Sequence, residues 1–179
     1  MKRFPWVLAA LAPWSAWSLA AETTVAVAAN FSAPMQEIAA GFARDTGHRA
    51  VLANGSTGQL NAQIRNGAPF DALLAADQRT PELLAADGFA LPGSRFTYAT
   101  GRLALWSAQS GLVDPHGAIL VRGTFRRLAL ADPRLAPYGA AAVEVMVALH
   151  LDARLRERWV LGDSVGQAYL FVEIGRAHV

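Results

Sequence analysis

Three junctions in the sequence join the end of an apolar run to the start of a helical pattern through short polar residues or backbone donors. They are Ala29-Asn30, Ser56-Thr57 and Pro137-Tyr138-Gly139, and Ser164-Val165 is a fourth candidate. The first N–H groups of a helix have no intrahelical acceptor and lie at the positive end of the helix dipole. These junctions therefore predict a site where neutral donors hold an oxyanion.

Each junction residue also has a simpler explanation. Asn30 and Ser56 are residue types that commonly cap helices, and Gly55-Ser-Thr-Gly58 lacks the lysine of a Walker loop. The junctions are more informative together than singly. All of the junctions fall at the carboxyl ends of predicted strands, and ligands of open α/β sheets bind just outside those ends.

Strand and helix signals alternate in the first half of the chain. Apolar runs at 24–28, 50–52 and 72–75 predict strands, helical spacing follows each run, and Gly47 and Gly67 end the first two helices. Thr80-Pro81 is expected to cap the third helix. This alternation predicts an α/β lobe whose parallel sheet is covered on both faces.

The pattern changes after Gly93. Segments 96–99 and 103–106 read as strands without a helix between them, so we place a crossing between two lobes at 98–101. Further elements are expected in the order strand 127–131, helix 138–149, helix 152–159 and helix 165–172. The predicted lobes are 22–98 and, as a partial second lobe, 99–172.

The residues give less support to an acid/base enzyme, a metal site or a serine hydrolase. Asp71 and Asp77 flank a buried strand, where carboxylates bond loop and helix N–H groups rather than act as an acid/base pair. The histidines have no metal-ligand spacing, so no direct cation site is expected. Ser56 lies in no nucleophile-elbow motif and has no assigned base, so an enzyme is not expected.

Composition restricts the partners and the compartment. The chain has no cysteine and an apolar start, with Lys2 and Arg3 ahead of the run 7–12 and Ser18-Leu-Ala20 as a cleavage signal. This is the pattern of a secretory signal over residues 1–21, cleaved near Ala20 or Ala21, and it predicts export to the periplasm. Without Lys2 and Arg3, 14 basic residues balance 14 acidic ones, so nucleic acid is not an expected partner.

The last residues, Glu173-Ile-Gly-Arg-Ala-His-Val179, match the translation of a common sequencing adapter. We therefore expect 173–179 to be a non-native tail and the natural frame to be truncated after Val172. A natural ending is the alternative.

Five motifs, in this order, resemble the periplasmic molybdate-binding proteins of ABC transporters. They are Ala28-Ala-Asn-Phe-Ser-Ala-Pro-Met35, Gly55-Ser-Thr-Gly-Gln-Leu60, Ala68-Pro-Phe-Asp-Ala-Leu-Leu-Ala-Ala-Asp77, Ala131-Asp-Pro-Arg-Leu-Ala-Pro-Tyr-Gly139 and Ser164-Val-Gly-Gln-Ala-Tyr169. The resemblance covers residues 23–172. It implies a two-lobe fold of the group II type, here with an incomplete second lobe.

The resemblance also implies the ligand set. In that family neutral donors hold a tetrahedral oxyanion between the lobes without a basic side chain or a metal. The matching positions are Asn30, Thr57 beside Ser56, Tyr138 and Val165, with Ala29 as a possible backbone donor. Molybdate or tungstate is the implied ligand, a membrane ABC permease is the implied partner, no cofactor is implied, and a monomer is expected.

A pocket made only of donors has a chemical consequence. It rejects hydrogen phosphate, whose O–H would face an N–H and leave both unsatisfied at a cost of roughly 1–3 kcal/mol. Receptors for sulfate, phosphate or ferric ion remain alternatives within the binding class. A secreted hydrolase that uses Ser56 is the alternative from another class.

Overall fold

A computed structural model describes residues 20–179. The predicted signal segment lies almost wholly in residues 1–19, outside that range. None of the helices in the described part of the chain is long and apolar enough to span a bilayer.

The first lobe contains a three-stranded parallel sheet with its strands in the order β2-β1-β3. Its elements, in chain order, are β1 (Glu22–Ala28), a 3-10 turn (Ala29–Phe31), α1 (Ser32–Thr46), β2 (Arg49–Gly55), α2 (Thr57–Arg65), β3 (Ala72–Leu74) and α3 (Arg79–Ala86). The central strand β1 is buried from Val25 to Ala28, as expected for a strand flanked on both sides. The prediction of an α/β lobe is confirmed.

Both carboxylates that flank β3 accept backbone N–H bonds; the prediction of a loop or helix donor is confirmed for Asp77, whereas the donor to Asp71 lies in strand β1. Asp71 accepts a hydrogen bond from the Thr24 N–H at 2.7 Å, and Asp77 accepts one from the Thr80 N–H at 2.7 Å. The prediction that Thr80-Pro81 caps α3 is wrong by two residues, because the N-cap is Gln78. The helix begins at Arg79, and the Asp77 carboxylate satisfies a first-turn N–H.

The second lobe contains a parallel pair of strands covered by helices. Its elements are α4 (Ala118–Arg122), β4 (Leu128–Ala131), α5 (Pro137–Ala148), α6 (Asp152–Leu155), a 3-10 turn (Arg156–Arg158), β5 (Trp159–Gly162) and α7 (Val165–Glu173). Both α5 and α7 pack against β4. The buried core of the lobe includes Leu128, Leu130, Met146 and Leu155.

The structure corrects the prediction of one helix over 152–159. The α-helix ends at Leu155, a 3-10 turn continues to Arg158, and Trp159 begins β5, with Trp159 opposite Leu128 and Gly162 opposite Ala131. Pairing with the buried strand β4 decides the conformation, because tertiary contacts override local propensity.

The strands predicted at 96–99 and 103–106 are also wrong. Residues 91–104 are exposed, and neither segment pairs with a strand anywhere in the described structure. An extended segment becomes a strand only when a neighbouring backbone accepts and donates its hydrogen bonds.

The predicted non-native tail is packed against the second lobe in this structure. Ala177 and Val179 are each 3% exposed, and the carbonyl of Val179 accepts a bond from the Ala129 N–H at 2.7 Å. This contact does not test whether the segment is native, so that part of the prediction stays a prediction.

Candidate functional site

Four helical turns begin around one small cavity between the two lobes. It lies where the 3-10 turn after β1 and helices α2, α5 and α7 start. Its lining residues are Ala28, Ala29, Asn30, Ser56, Thr57, Ala76, Ala136, Pro137, Tyr138, Ser164 and Val165. The cavity volume is about 10 Å³, which is about the room that one water molecule needs.

Every residue that the sequence assigned to the oxyanion lines this cavity. The structure thus brings together Asn30, Ser56, Thr57, Tyr138 and Val165, which are up to 135 positions apart in the chain, and the possible backbone donor Ala29 lies among them. Their role as ligands is taken up below as a proposal.

The first-lobe donors are fixed by the start of α2. The Ser56 Oγ accepts from the Gln59 N–H at 3.4 Å, and the Gln59 side chain accepts from the Ser56 N–H at 3.1 Å, which completes a capping box. The Thr57 Oγ1 accepts from the Ala76 N–H at 3.0 Å. Both hydroxyls are buried acceptors whose own hydrogens remain free to donate.

The second lobe repeats this arrangement at the start of α7. The Ser164 Oγ accepts from the Gln167 N–H at 3.3 Å, as the predicted cap requires, and the Gln167 side chain accepts from the Asp163 N–H at 2.6 Å. Ser56-Thr-Gly-Gln59 and Ser164-Val-Gly-Gln167 share the pattern Ser-x-Gly-Gln. This short repeat is not used in the sequence analysis above, although the spacing of its polar residues is visible in the sequence.

Several first-turn N–H groups at the cavity have no protein acceptor. Within residues 20–179, no backbone or side-chain acceptor is bonded to the N–H of Thr57, Tyr138 or Val165. Pro137, at the first position of α5, removes a competing donor and fixes the helix start. Three separate helices therefore present an unused N–H to one cavity.

The Tyr138 side chain and the Tyr138 N–H group have different surroundings. Its ring lies against Gly101, since a Cβ there would overlap the Tyr138 hydroxyl oxygen. Tyr98, three residues earlier in the chain, donates its hydroxyl to the Ala75 carbonyl at 2.9 Å. Burial, and secondarily the neighbouring Tyr138, raise the pKa of Tyr98, so this phenol stays neutral.

No charged side chain lines the small cavity among the described residues. Nor does the described part of the chain contain a group of three or more histidine, aspartate or glutamate residues that could hold a metal ion. The Ser56 Oγ is bonded to a backbone N–H rather than to a histidine. The arrangement can bind an anion by neutral donors, and it presents no assembled nucleophile and base.

A larger cavity of about 680 Å³ adjoins the small one in the second lobe. It lies between β4, α5, α7 and residues 102–106, and its walls are mainly aliphatic. It shares Asn30, Tyr138 and Val165 with the small cavity.

Two parallel sheets with a small cavity between them, framed by helix starts, are the arrangement expected of a solute-binding protein. The family model for bacterial extracellular solute-binding proteins matches residues 23–179, and the chain belongs to that family.

The chain can also be compared with individual proteins of this family. The chain is 51% identical over 160 residues to the molybdate-binding protein ModA of Azotobacter vinelandii, and 48% identical over 160 residues to ModA of Rhodobacter capsulatus. These alignments cover 89% of this chain and 64% and 63% of the relatives. A solved periplasmic molybdate-binding protein of Azotobacter vinelandii superposes with a TM-score of 0.85 at 46% identity, covering 87% of this chain and 68% of that one. The chain thus spans a little under two thirds of the length of the curated relatives it matches.

Proposed function

We propose that this chain captures molybdate, and also tungstate, between its lobes as the receptor of an ABC transporter. The observation that carries the proposal is the convergence of neutral donors from four helical turns on a cavity without charged walls. An oxyanion that leaves water needs fixed donors in place of its hydration. Neutral N–H and O–H groups provide them without burying a counter-charge.

The proposed ligand set is the one expected from the sequence. Asn30, Ser56 and Thr57 contribute from the first lobe, and the N–H groups of Tyr138 and Val165 contribute from the second. Ala29 has no side-chain donor, so only its backbone is available there. The names of the two ModA relatives support molybdate as the ion.

Calorimetry tests the proposal directly. Molybdate and tungstate should each bind the purified chain at one site, and hydrogen phosphate should compete poorly, because its acid O–H would face the unbonded N–H groups of Thr57, Tyr138 or Val165. Sulfate has the same donor requirements but is smaller, so we expect weak competition from it. Equal affinity for sulfate and molybdate would refute the ion that we propose.

The proposal includes delivery to a membrane permease from the periplasm, and it includes no catalysis. A generic ester assay separates it from the hydrolase alternative. The wild-type chain and Ser56→Ala should show the same background rate. Turnover that disappears in Ser56→Ala would favour the hydrolase.

A further inference from the structure

The two lobes also touch through their backbones, beside the small cavity. The Gly58 N–H, in the first turn of α2, donates to the Leu135 carbonyl at 2.8 Å. Leu135 lies in the loop between β4 and α5, so this bond joins the first lobe to the second. We propose that Gly58 controls closure of the cleft: its free N–H and its missing side chain let the two backbones dock. The proposal rests on the function proposed above.

The steric argument is independent of the hydrogen bond. A Cβ on Gly58 would lie 2.7 Å from the Leu135 oxygen, 3.1 Å from its Cα and 3.3 Å from its carbonyl carbon. All three are backbone atoms, which cannot rotate away as the end of a flexible side chain does. Any side chain at position 58 therefore requires the loop or the whole lobe to move.

The loop that carries Leu135 is held in place from within its own lobe. The Asp132 carbonyl accepts from the N–H groups of Leu135 and Ala136 at 3.0 and 2.9 Å. The Asp132 carboxylate accepts from the Arg134 guanidinium at 2.6 Å. A side chain at position 58 should therefore push the lobes apart rather than bend this loop.

The equivalent glycine of the second Ser-x-Gly-Gln segment has no such contact. A Cβ on Gly166 would meet only the Ser164 Oγ at 3.7 Å and the Ala29 Cβ at 4.0 Å, which are ordinary van der Waals distances. The start of α7 also lies against the first-lobe turn 29–31, but a side chain at position 166 would meet no backbone atom of the opposite lobe, whereas one at position 58 would.

The expected consequence is a loss of affinity without loss of a ligand contact. In Gly58→Ala the added Cβ overlaps the Leu135 backbone, and the movement that relieves this clash breaks the hydrogen bond to Leu135, so molybdate should bind at least about tenfold more weakly. Alanine favours a helix over glycine, so the melting temperature of the ion-free variant should not fall.

Gly41→Ala is the matched control, because Gly41 also lies within a helix and a Cβ there would meet only the Arg44 side chain, at 3.7 Å. Calorimetry on wild type, Gly58→Ala and Gly41→Ala should show weakened binding only for Gly58→Ala. Binding by Gly58→Ala as tight as wild type would overturn the proposal.

Amide exchange provides a readout that does not depend on affinity. In the wild-type chain labelled with ¹⁵N-glycine, NMR should show slow exchange of the Gly58 amide when molybdate is present. This exchange should be far slower than that of the Gly111 amide, in an exposed loop, because the Leu135 carbonyl is the acceptor that protects the Gly58 N–H. Exchange as fast as that of Gly111 would overturn the proposal.

If the wild type binds no molybdate, the proposed function fails. Slow Gly58 exchange in the ion-free chain would then still support docking, and fast exchange would refute it.

Discussion

At the scale of single residues, the site consists of small groups whose partners are set by helix geometry. Ser56 and Thr57 accept backbone N–H bonds while their own hydrogens stay available, and the Tyr138 N–H, whose ring lies against Gly101, is the group that we propose as a donor. Within the described residues, no hydrogen bond engages the Asn30 side-chain amide. Asn30 is therefore the proposed donor whose removal disturbs the least structure.

We predict that Asn30→Ala weakens molybdate binding by about 1–3 kcal/mol, since a donor to a charged group is lost in a desolvated pocket. Calorimetry measures the change. Asn66→Ala is the control, because Asn66 bonds only the Ala62 carbonyl at the far end of α2. Unchanged affinity in Asn30→Ala would remove this residue from the proposed ligand set.

A second residue-scale prediction concerns acid stability. The guanidinium and N–H of Arg134 hold the pKa of Asp132 below its usual value. A lowered pKa contributes stability that is present above the unfolded-state pKa, about 3.9 for aspartate, and is lost as the pH falls through the folded-state pKa. Urea unfolding of wild type should therefore weaken more steeply below about pH 4 than that of Asp132→Asn.

The control for the acid effect is Asp45→Asn, at an exposed position in α1. It should keep the steep acid dependence of the wild type. The same slope in Asp132→Asn and wild type would show that the Asp132–Arg134 pair contributes nothing to it.

At the scale of elements, close backbone approach positions the helix starts. Gly139, in the first turn of α5, lies against the end of β4. A Cβ there would overlap the Ala131 carbonyl oxygen and lie 2.7 Å from the Ala131 carbonyl carbon. Gly162 plays a similar part at the end of β5, where a Cβ would lie 2.9 Å from the Ala168 nitrogen. Glycine at these two positions brings α5 and α7 down onto their strands.

We predict that Gly139→Ala destabilises the fold by about 1–3 kcal/mol or more, since the helix must shift off a backbone that cannot yield. Chemical denaturation measures the loss. Gly41→Ala, in open space on α1, should instead be neutral or stabilising by up to about 1 kcal/mol. Equal midpoints for Gly139→Ala and wild type would contradict this account of α5.

At the scale of the whole molecule, the site exists only while both lobes face each other. Asn30, Ser56 and Thr57 belong to one lobe, and Tyr138 and Val165 belong to the other. An ion bound between the lobes favours their closed arrangement by its differential contacts. Binding must therefore stabilise the molecule as a unit.

We predict that excess molybdate raises the melting temperature of the chain. By mass action, a thousandfold excess over the dissociation constant adds about 4 kcal/mol to the free energy of unfolding. Calorimetric melts with molybdate, and with chloride at equal ionic strength as the control, measure the shift. A rise that is the same in both salts would indicate a nonspecific salt effect.

The sequence determined much of this protein through local physics. Buried apolar runs at β1 and β4, the left-handed Gly47 that ends α1 and the Ser164 cap of α7 follow from short-range rules, and each is found in the structure. The residues of the candidate site could also be predicted from the sequence. The junctions carry a pattern of neutral donors, and the resemblance implied that these donors share one ligand.

Tertiary structure alone decided what depends on a distant partner. Trp159 to Gly162 became a strand because β4 lies beside it, whereas segments 96–99 and 103–106 have no pairing backbone in the described part of the chain and form none. The docking of Gly58 on Leu135 is likewise invisible in the sequence. Hydrogen-bond ladders and close backbone approaches join residues far apart in the chain, so neither propensity nor spacing encodes them.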